Sequence, residues 1–161
     1  MERKANILAF CCHYCAYAAA DLAGSMRLDY PAEVRVLRLP CTGKVEIPFL
    51  MRAFERGADA VIVAGCLEGG CHFQEGNLRA RKRTERVKGF MEEIGLEPER
   101  LEMFNLSSAE GSRFAEIVKE MAARLTRLGI SPLRRNDDVI ETFVIESQKD
   151  ADAKISARVA G

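Results

Sequence analysis

The chain has 161 residues, of which 48% are hydrophobic, so it is long enough for one domain with a sizeable core and needs no disulfide or metal in order to fold. Its 24 basic and 24 acidic residues cancel, which gives no overall bias towards nucleic acid or membrane surfaces. No apolar run approaches the roughly 18 residues of a membrane span. Residues 1–6 lack a signal-peptide pattern, so we expect a cytoplasmic protein.

The first half of the chain predicts two strands, each followed by a helix. Ile7–Phe10 is a short apolar run typical of a strand that is covered on both faces. An alanine-rich helix follows over about residues 14–28. Val34–Leu39 mixes polar and apolar residues, which favours a strand at the edge of the sheet. The helix that begins near Ile47 has apolar residues at the spacing of a single buried face.

The second half repeats this pattern twice. Ala60–Ala64 is the most strongly apolar strand candidate, and the helix after it is predicted over Glu75–Ile94. Leu101–Leu106 predicts a fourth strand. A last helix then carries apolar residues at helical spacing and ends at Gly129. The alternation of strand and helix predicts an α/β fold with a parallel sheet.

We therefore expect a flavodoxin-like three-layer sandwich, in which a four-stranded parallel sheet of order 2-1-3-4 has helices on both faces. Residues 1–130 are predicted to form this domain. Residues 131–161 are interpreted as an appended polar tail that a partner would order. Within the tail, Val139–Ile145 predicts one strand, and residues 151–161 are weakly helical.

Six cysteines follow the first three predicted strands. In the predicted order these strands are neighbours, and ligands of open α/β sheets bind at the carboxyl ends of strands beside the switch point. Clustered cysteines in a reducing compartment favour metal ligation or redox chemistry over structural disulfides. The candidate metal and cofactor ligands are Cys12, Cys15, Cys41, Cys66 and Cys71.

Three chemistries fit thiols in this arrangement. An iron–sulfur cluster takes four thiolates, structural zinc takes four and usually uses paired Cys-x-x-Cys knuckles, and a dithiol oxidoreductase needs two. Cys12-x-x-Cys15 alone suits the dithiol, but six thiols exceed its need and favour a cluster. Cys11 is expected to be a bystander, because adjacent strand residues point to opposite faces. The remaining five cysteines leave open which four would bind.

Other residues near the cysteines are given structural or surface roles. His13 and His72 each adjoin a cysteine, and we interpret them as hydrogen-bonding or surface residues rather than ligands. The glycines between Cys66 and Cys71 are not followed by the Gly-Lys-Ser/Thr of a phosphate loop. The basic run over residues 79–88 is interpreted as a solvated face, with a docking surface for an acidic partner as the alternative. It lacks the aromatic platform of a nucleic-acid site.

Four segments are informative when taken together: Ala9–Ala18, Ala20–Gly24, Arg38–Val45 and Val63–Asn77, the last from Val63 to Cys66 and from Cys71 onwards. These segments resemble the delta, or iron–sulfur, subunit of methyl-viologen-reducing (F420-non-reducing) hydrogenase and the related proteins and domains of heterodisulfide reductase systems. The likeness spans roughly residues 5–129.

The resemblance implies a non-catalytic electron-transfer subunit that carries one [2Fe-2S] cluster. It implies ligands among the five cysteines of the family motifs without choosing four of them. It also implies two partners, a hydrogenase or formate dehydrogenase as donor and the flavin subunit of heterodisulfide reductase. A cytoplasmic dithiol oxidoreductase and a zinc-stabilised interaction module are the alternatives. Residues beyond Leu133 lie outside the resemblance, and no nucleic acid or membrane span is expected.

Overall fold

The computed structural model describes residues 4–135 and 138–160 of the chain. Within them, four parallel strands and five α-helices form the fold. The predicted α/β fold and the strand order β2-β1-β3-β4 are confirmed, with β2 at the edge. The elements in chain order are β1 (Ile7–Cys12), α1 (Ala16–Ser25), β2 (Val34–Leu39), α2 (Ile47–Glu55), β3 (Ala60–Gly65), α3 (Gly76–Glu93), β4 (Leu101–Asn105), α4 (Gly111–Leu128) and α5 (Asp138–Val159).

Helices cover both faces of the sheet. Every residue of β1 and β3 is buried, which agrees with their continuous apolar sequence. Alternate residues of these strands pack on opposite sides: Phe10 joins a core with α2 and α3, whereas Ala9 joins a core with α1 and α4. The predicted three layers are therefore present, and the central strand β1 is shielded from water on both faces.

Small residues bring α1 and α4 close together. Ala19 and Ala23 are fully buried on α1, and α4 begins beside them at Gly111. A Cβ on Gly111 would lie 3.0 Å from the Ala23 backbone nitrogen and 3.4 Å from the Ala19 carbonyl oxygen. The alanine-rich composition of α1 thus has a packing explanation, because larger side chains would push α4 away from the sheet.

A buried ion pair fixes the edge of the sheet at which the strands begin. The Asp59 carboxylate, immediately before β3, lies 2.6 Å from the Arg134 guanidinium and is fully buried. It also accepts hydrogen bonds from the backbone N–H groups of Asn6 and Ser131, both at 2.7 Å. These contacts attach the segment after α4 to the amino ends of β1 and β3.

The predicted strand over Val139–Ile145 is wrong. Residues 138–159 form one helix, α5, which packs along the edge strand β2. Gln148 accepts a hydrogen bond from the Arg38 backbone N–H at 2.7 Å, and the Arg38 guanidinium pairs with Asp152 at 2.8 Å. Residues 138–159 therefore pack on a surface of their own chain. That residues 131–161 are a tail separate from the domain, which a partner would order, remains a prediction.

Helix length and composition also bear on membrane insertion. Among the helices of residues 4–135 and 138–160, none combines the length and the apolar character that crossing a bilayer requires.

Candidate metal centre

The sheet brings the cysteine segments to one edge because β1, β2 and β3 are parallel neighbours. Cys12 is the last residue of β1, and Cys15 stands at the N-cap of α1. Cys41 follows β2 and caps a short 3₁₀ turn, and Cys66 follows β3 directly. Cys71 lies in the loop between β3 and α3.

Three of these sulfurs form a compact group. The Sγ atoms of Cys12, Cys15 and Cys66 all lie within 4.8 Å of one another, and all three residues are buried. The Cys12 and Cys66 sulfurs are 3.7 Å apart. Thiols gathered in this way from two strand ends and a helix start are the donor set that a soft metal or an iron–sulfur cluster prefers.

Cys41 and Cys71 lie against the first turn of α3. A Cβ built on Gly76 would overlap the Cys41 sulfur and would lie 3.4 Å from the Cys71 sulfur. Cys41 is buried, and its sulfur accepts a hydrogen bond from the Gly43 backbone N–H at 3.3 Å. Burial raises the pKa of Cys41 to about 11, and the charges of Cys71 and Cys12 act in the same direction. The Cys41 and Cys71 sulfurs are therefore neighbours, and the charge of Cys12, in the compact group, also raises the pKa of Cys41.

The electrostatics of the group favour one thiolate. A hydrogen bond from the Cys15 thiol lowers the pKa of Cys12 to about 6, against the effect of burial, and the Tyr14 backbone N–H adds to this shift. The same hydrogen bond and burial raise the pKa of Cys15. Burial raises the pKa of Cys66. Ionising a second buried thiol beside the first is therefore costly unless a cation compensates the charge.

Cys11 occupies a different environment. It lies within β1, is fully buried among the apolar residues that face α1 and α4, and does not belong to the compact group. Burial strongly raises its pKa. This placement agrees with the interpretation of Cys11 as a small core residue.

The aromatic residues beside the cysteines stack on one another. The His72 ring stacks on the Tyr14 ring with the centroids 3.9 Å apart, and Phe73 meets Tyr14 edge-on at 5.8 Å. A cleft of about 410 Å³ opens next to this stack and reaches Cys15 and Cys66. The stacking accounts for His72 without ligation. In contrast, His13 Nδ1 is the one buried side-chain nitrogen or oxygen of the described residues that has no hydrogen-bond partner.

The comparisons with known proteins settle the family. The sequence profile of the family described as "Methyl-viologen-reducing hydrogenase, delta subunit" matches residues 7–129. The chain belongs to this family. The match includes all four strands, helices α1–α4 and all six cysteines, and it ends before α5. We call the matched region the delta-family domain.

Two sets of relatives share the delta-family domain. The chain is 48% identical over 128 residues to the iron-sulfur subunit of the vhu F420-non-reducing hydrogenase of Methanocaldococcus jannaschii, a match that covers 80% of this chain and 96% of that protein. It is 43% identical over 123 residues to one subunit of the ferredoxin/F(420)H(2)-dependent CoB-CoM heterodisulfide reductase of Methanosarcina acetivorans, a match that covers 76% of this chain and 16% of that protein. The domain thus occurs both as a separate chain and as a small part of a longer one.

Two asparagines that sequence reasoning did not single out support the cysteine loop of the delta-family domain. The Asn77 side chain donates to the carbonyl oxygens of Cys66 and Leu67, both at 3.0 Å. The Asn105 side chain, at the end of β4, donates to the Cys66 carbonyl at 2.6 Å. The sequence could have indicated Asn105, because it stands near the end of the fourth predicted strand, and parallel strands end at the same edge of the sheet as the cysteines.

Part of the basic run on α3 also has a structural role in this domain. Arg83 donates to the Gly43 carbonyl at 2.6 Å, next to Cys41, and Lys88 pairs with Glu102 at 2.9 Å. Arg81 bonds the Asn105 side chain and pairs with Glu68. The interpretation of the run as simply a solvated face is therefore incomplete, since three of its cations hold neighbouring segments in place.

Gly76→Ala is expected to disturb the cysteine edge, because the added methyl group would overlap the Cys41 sulfur. Overpacking of this kind costs about 1–3 kcal/mol of unfolding free energy. Gly89→Ala is the matched control: it lies on the same helix with open space around it, and alanine there gains about 1 kcal/mol of helix propensity. Urea unfolding of both variants checks this, and equal stabilities would contradict the assignment of Gly76.

Proposed function

We propose that the chain is an electron-transfer subunit that holds one [2Fe-2S] cluster and has no catalysis of its own. In this proposal it relays electrons between a hydrogenase or formate dehydrogenase and the flavin subunit of heterodisulfide reductase. The observation that carries the proposal is the buried group of Cys12, Cys15 and Cys66, with Cys41 and Cys71 beside it at the same sheet edge.

The residues present fit such a group. Four thiolates are needed, and five thiols stand at one edge of the sheet. Cys12, Cys15 and Cys66 would supply three ligands, and Cys41 or Cys71 would supply the fourth. His13 follows Cys12 directly, and its buried Nδ1 atom has no hydrogen-bond partner among the described residues. A group bound beside Cys12 would be in a position to supply one. A bound cluster would take up and release one electron at a time.

The protein's own residues would tune that exchange. The backbone N–H groups of Tyr14 and Gly43 point at cysteine sulfurs, and hydrogen bonds to sulfur stabilise the electron-rich state. The asparagine bonds to the Cys66 carbonyl hold its loop in place. The sheet is a rigid support, since β1 and β3 are buried along their whole length.

The relatives support a hydrogenase and a heterodisulfide reductase among the proposed partners. One set is named as iron-sulfur subunits of F420-non-reducing hydrogenase, and the other as a subunit of heterodisulfide reductase. In the second set the equivalent segment shares one polypeptide with the rest of that longer protein. A domain that is covalently joined to a reductase chain in one protein is expected to associate with a similar chain when it is separate.

Spectroscopy of the anaerobically purified chain tests the proposal. We expect about two iron and two sulfide per chain, visible absorption, and an electron paramagnetic resonance signal after reduction. A colourless protein with one zinc would support the interaction module instead. A metal-free protein with two fast-reacting thiols would support the dithiol oxidoreductase, which the lowered pKa of Cys12 favours and its burial disfavours.

A further inference from the structure

A second, smaller cleft lies at the cysteine edge and is lined by Cys41. It has a volume of about 180 Å³, and Gly43, Gly76 and Phe73 form much of its wall. Its remaining lining residues are three cations, Lys44, Arg79 and Arg158, and among the described residues no carboxylate lines it. The cleft is therefore electropositive although the chain as a whole has a formal charge of zero.

Among the described residues, these three cations have no carboxylate partner. Within residues 4–135 and 138–160, none of them takes part in an ion pair. Other cations nearby differ, because Arg81 pairs with Glu68 and Arg38 pairs with Asp152. Like charges gathered without compensation raise the local potential, and an anionic partner would lower it.

The third cation is delivered by α5, the helix that lies beyond the family match. The Gln148 and Asp152 contacts fix α5 against Arg38 of β2, and Phe143 packs on Phe49 with the ring centroids 5.4 Å apart. At a rise of about 1.5 Å per residue, the six residues from Asp152 to Arg158 extend about 9 Å. This carries the Arg158 guanidinium to 4.5 Å from the Phe73 ring centroid.

We propose that this cleft is the docking site for a small, net-negative electron-carrier protein, whose surface carboxylates bind between Lys44, Arg79 and Arg158. The inference rests on the proposed function, since a carrier has reason to dock here only if the cysteine edge exchanges electrons. Charge complementarity selects the occupant. The cleft next to Cys41 is lined by three cations and by no carboxylate of the described residues, so it attracts carboxylates and repels basic proteins. Helix α5 is then a specificity element that this chain adds to the shared domain.

The test uses the full, anaerobically purified chain and an acidic plant-type ferredoxin as the probe, with a basic cytochrome c for comparison. We expect ferredoxin binding that weakens steeply with salt, and no binding of the cytochrome. Arg158→Glu should weaken ferredoxin binding by about tenfold at low ionic strength, whereas Arg158→Lys should retain most of it. Calorimetric titration measures the binding of ferredoxin to the unaltered chain, to Arg158→Glu and to Arg158→Lys.

Lys149→Glu is the matched control. It makes the same charge change on the same helix, is exposed, and does not line the cleft, so its effect should stay below about threefold. Equal weakening by the two reversals would overturn the proposal, as would ferredoxin binding that is absent or independent of salt. Tighter ferredoxin binding by Arg158→Glu would also overturn the proposal, because it would indicate that α5 covers the cleft and hinders docking.

Iron and sulfide analysis of the same samples separates the two hypotheses. If the cluster is present and Arg158→Glu binds ferredoxin like the unaltered chain, the docking site fails while the proposed function stands. If iron and sulfide are absent, the proposed function fails, and the titrations still report whether the cleft recognises an acidic protein.

Discussion

Cys15→Ala is expected to remove the iron of the proposed cluster almost completely, from about two per chain to a small fraction of that, because a cluster needs four thiolates and Cys15 stands inside the compact group. Cys12→Ala should behave in the same way. Cys11→Ala should keep full iron content, since Cys11 lies outside the group in the interior of β1. Iron and sulfide analysis, with the reduced-state resonance signal, provides the measurement.

Cys11→Ala also serves as the control for folding. It removes a fully buried thiol from the same strand that carries Cys12, so it reports what a small cavity alone does to the protein. Circular dichroism should show that all three variants keep the helical content of the parent. Full iron content in folded Cys15→Ala would refute the assignment of that residue.

The same assay addresses the fourth ligand. Cys41→Ala and Cys71→Ala should differ, with one variant losing iron and the other retaining it, because the proposed cluster has one ligand position left after Cys12, Cys15 and Cys66. Loss of iron in neither variant, or in both, would contradict a single fourth ligand position beside Gly76.

Arg134→Ala is expected to lower the free energy of unfolding by about 3–5 kcal/mol, because it leaves the buried Asp59 carboxylate without its cation. The side chains of Arg134 and Asp59 are only 2% and 1% exposed, so the pair is shielded from solvent in the intact protein. Arg134 also donates to the Lys4 carbonyl at 2.7 Å, which ties the segment after α4 to the residues before β1. Chemical denaturation measures the effect.

Arg127→Ala is the control for a generic lost ion pair. Arg127 pairs with Glu99 at the surface, where the side chains are 61% and 53% exposed, and exposed pairs contribute about 0–1 kcal/mol. Similar losses for the two variants would contradict a special role for the buried pair. Iron content should stay unchanged in both, since Asp59 precedes β3 and Cys66 follows it at the other end of the strand.

The C-terminal segment shows where local sequence reasoning failed. Residues 139–145 are rich in β-branched and aromatic side chains, which is why a strand was predicted there. The segment is helical because Phe143 packs into the core beside α2 and Glu141 pairs with Arg35 of β2. Those partners are about a hundred residues away in sequence, and such contacts outweigh an intrinsic preference worth a fraction of a kcal/mol per residue.

The ligand set shows a similar division. Spacing placed five cysteines at one sheet edge, because parallel strands that are neighbours must end together. Spacing did not show that Cys12, Cys15 and Cys66 are grouped while Cys41 and Cys71 flank Gly76. That arrangement depends on where the 3₁₀ turn after β2 and the first turn of α3 meet, a contact between segments more than thirty residues apart.

The sequence by itself determined the α/β class and the edge at which the thiols collect, since these follow from short apolar runs, helical periodicity and the parallel connection of consecutive units. The strand order was predicted correctly, but from the flavodoxin-like arrangement and not from periodicity. Tertiary structure alone decided three features: the subdivision of the thiols, the ion pair of Asp59 with Arg134, and the placement of Arg158 beside Phe73. The physical reason is range. Periodicity reports how a segment lies against the core, whereas these features come from side chains that meet only after distant segments have packed.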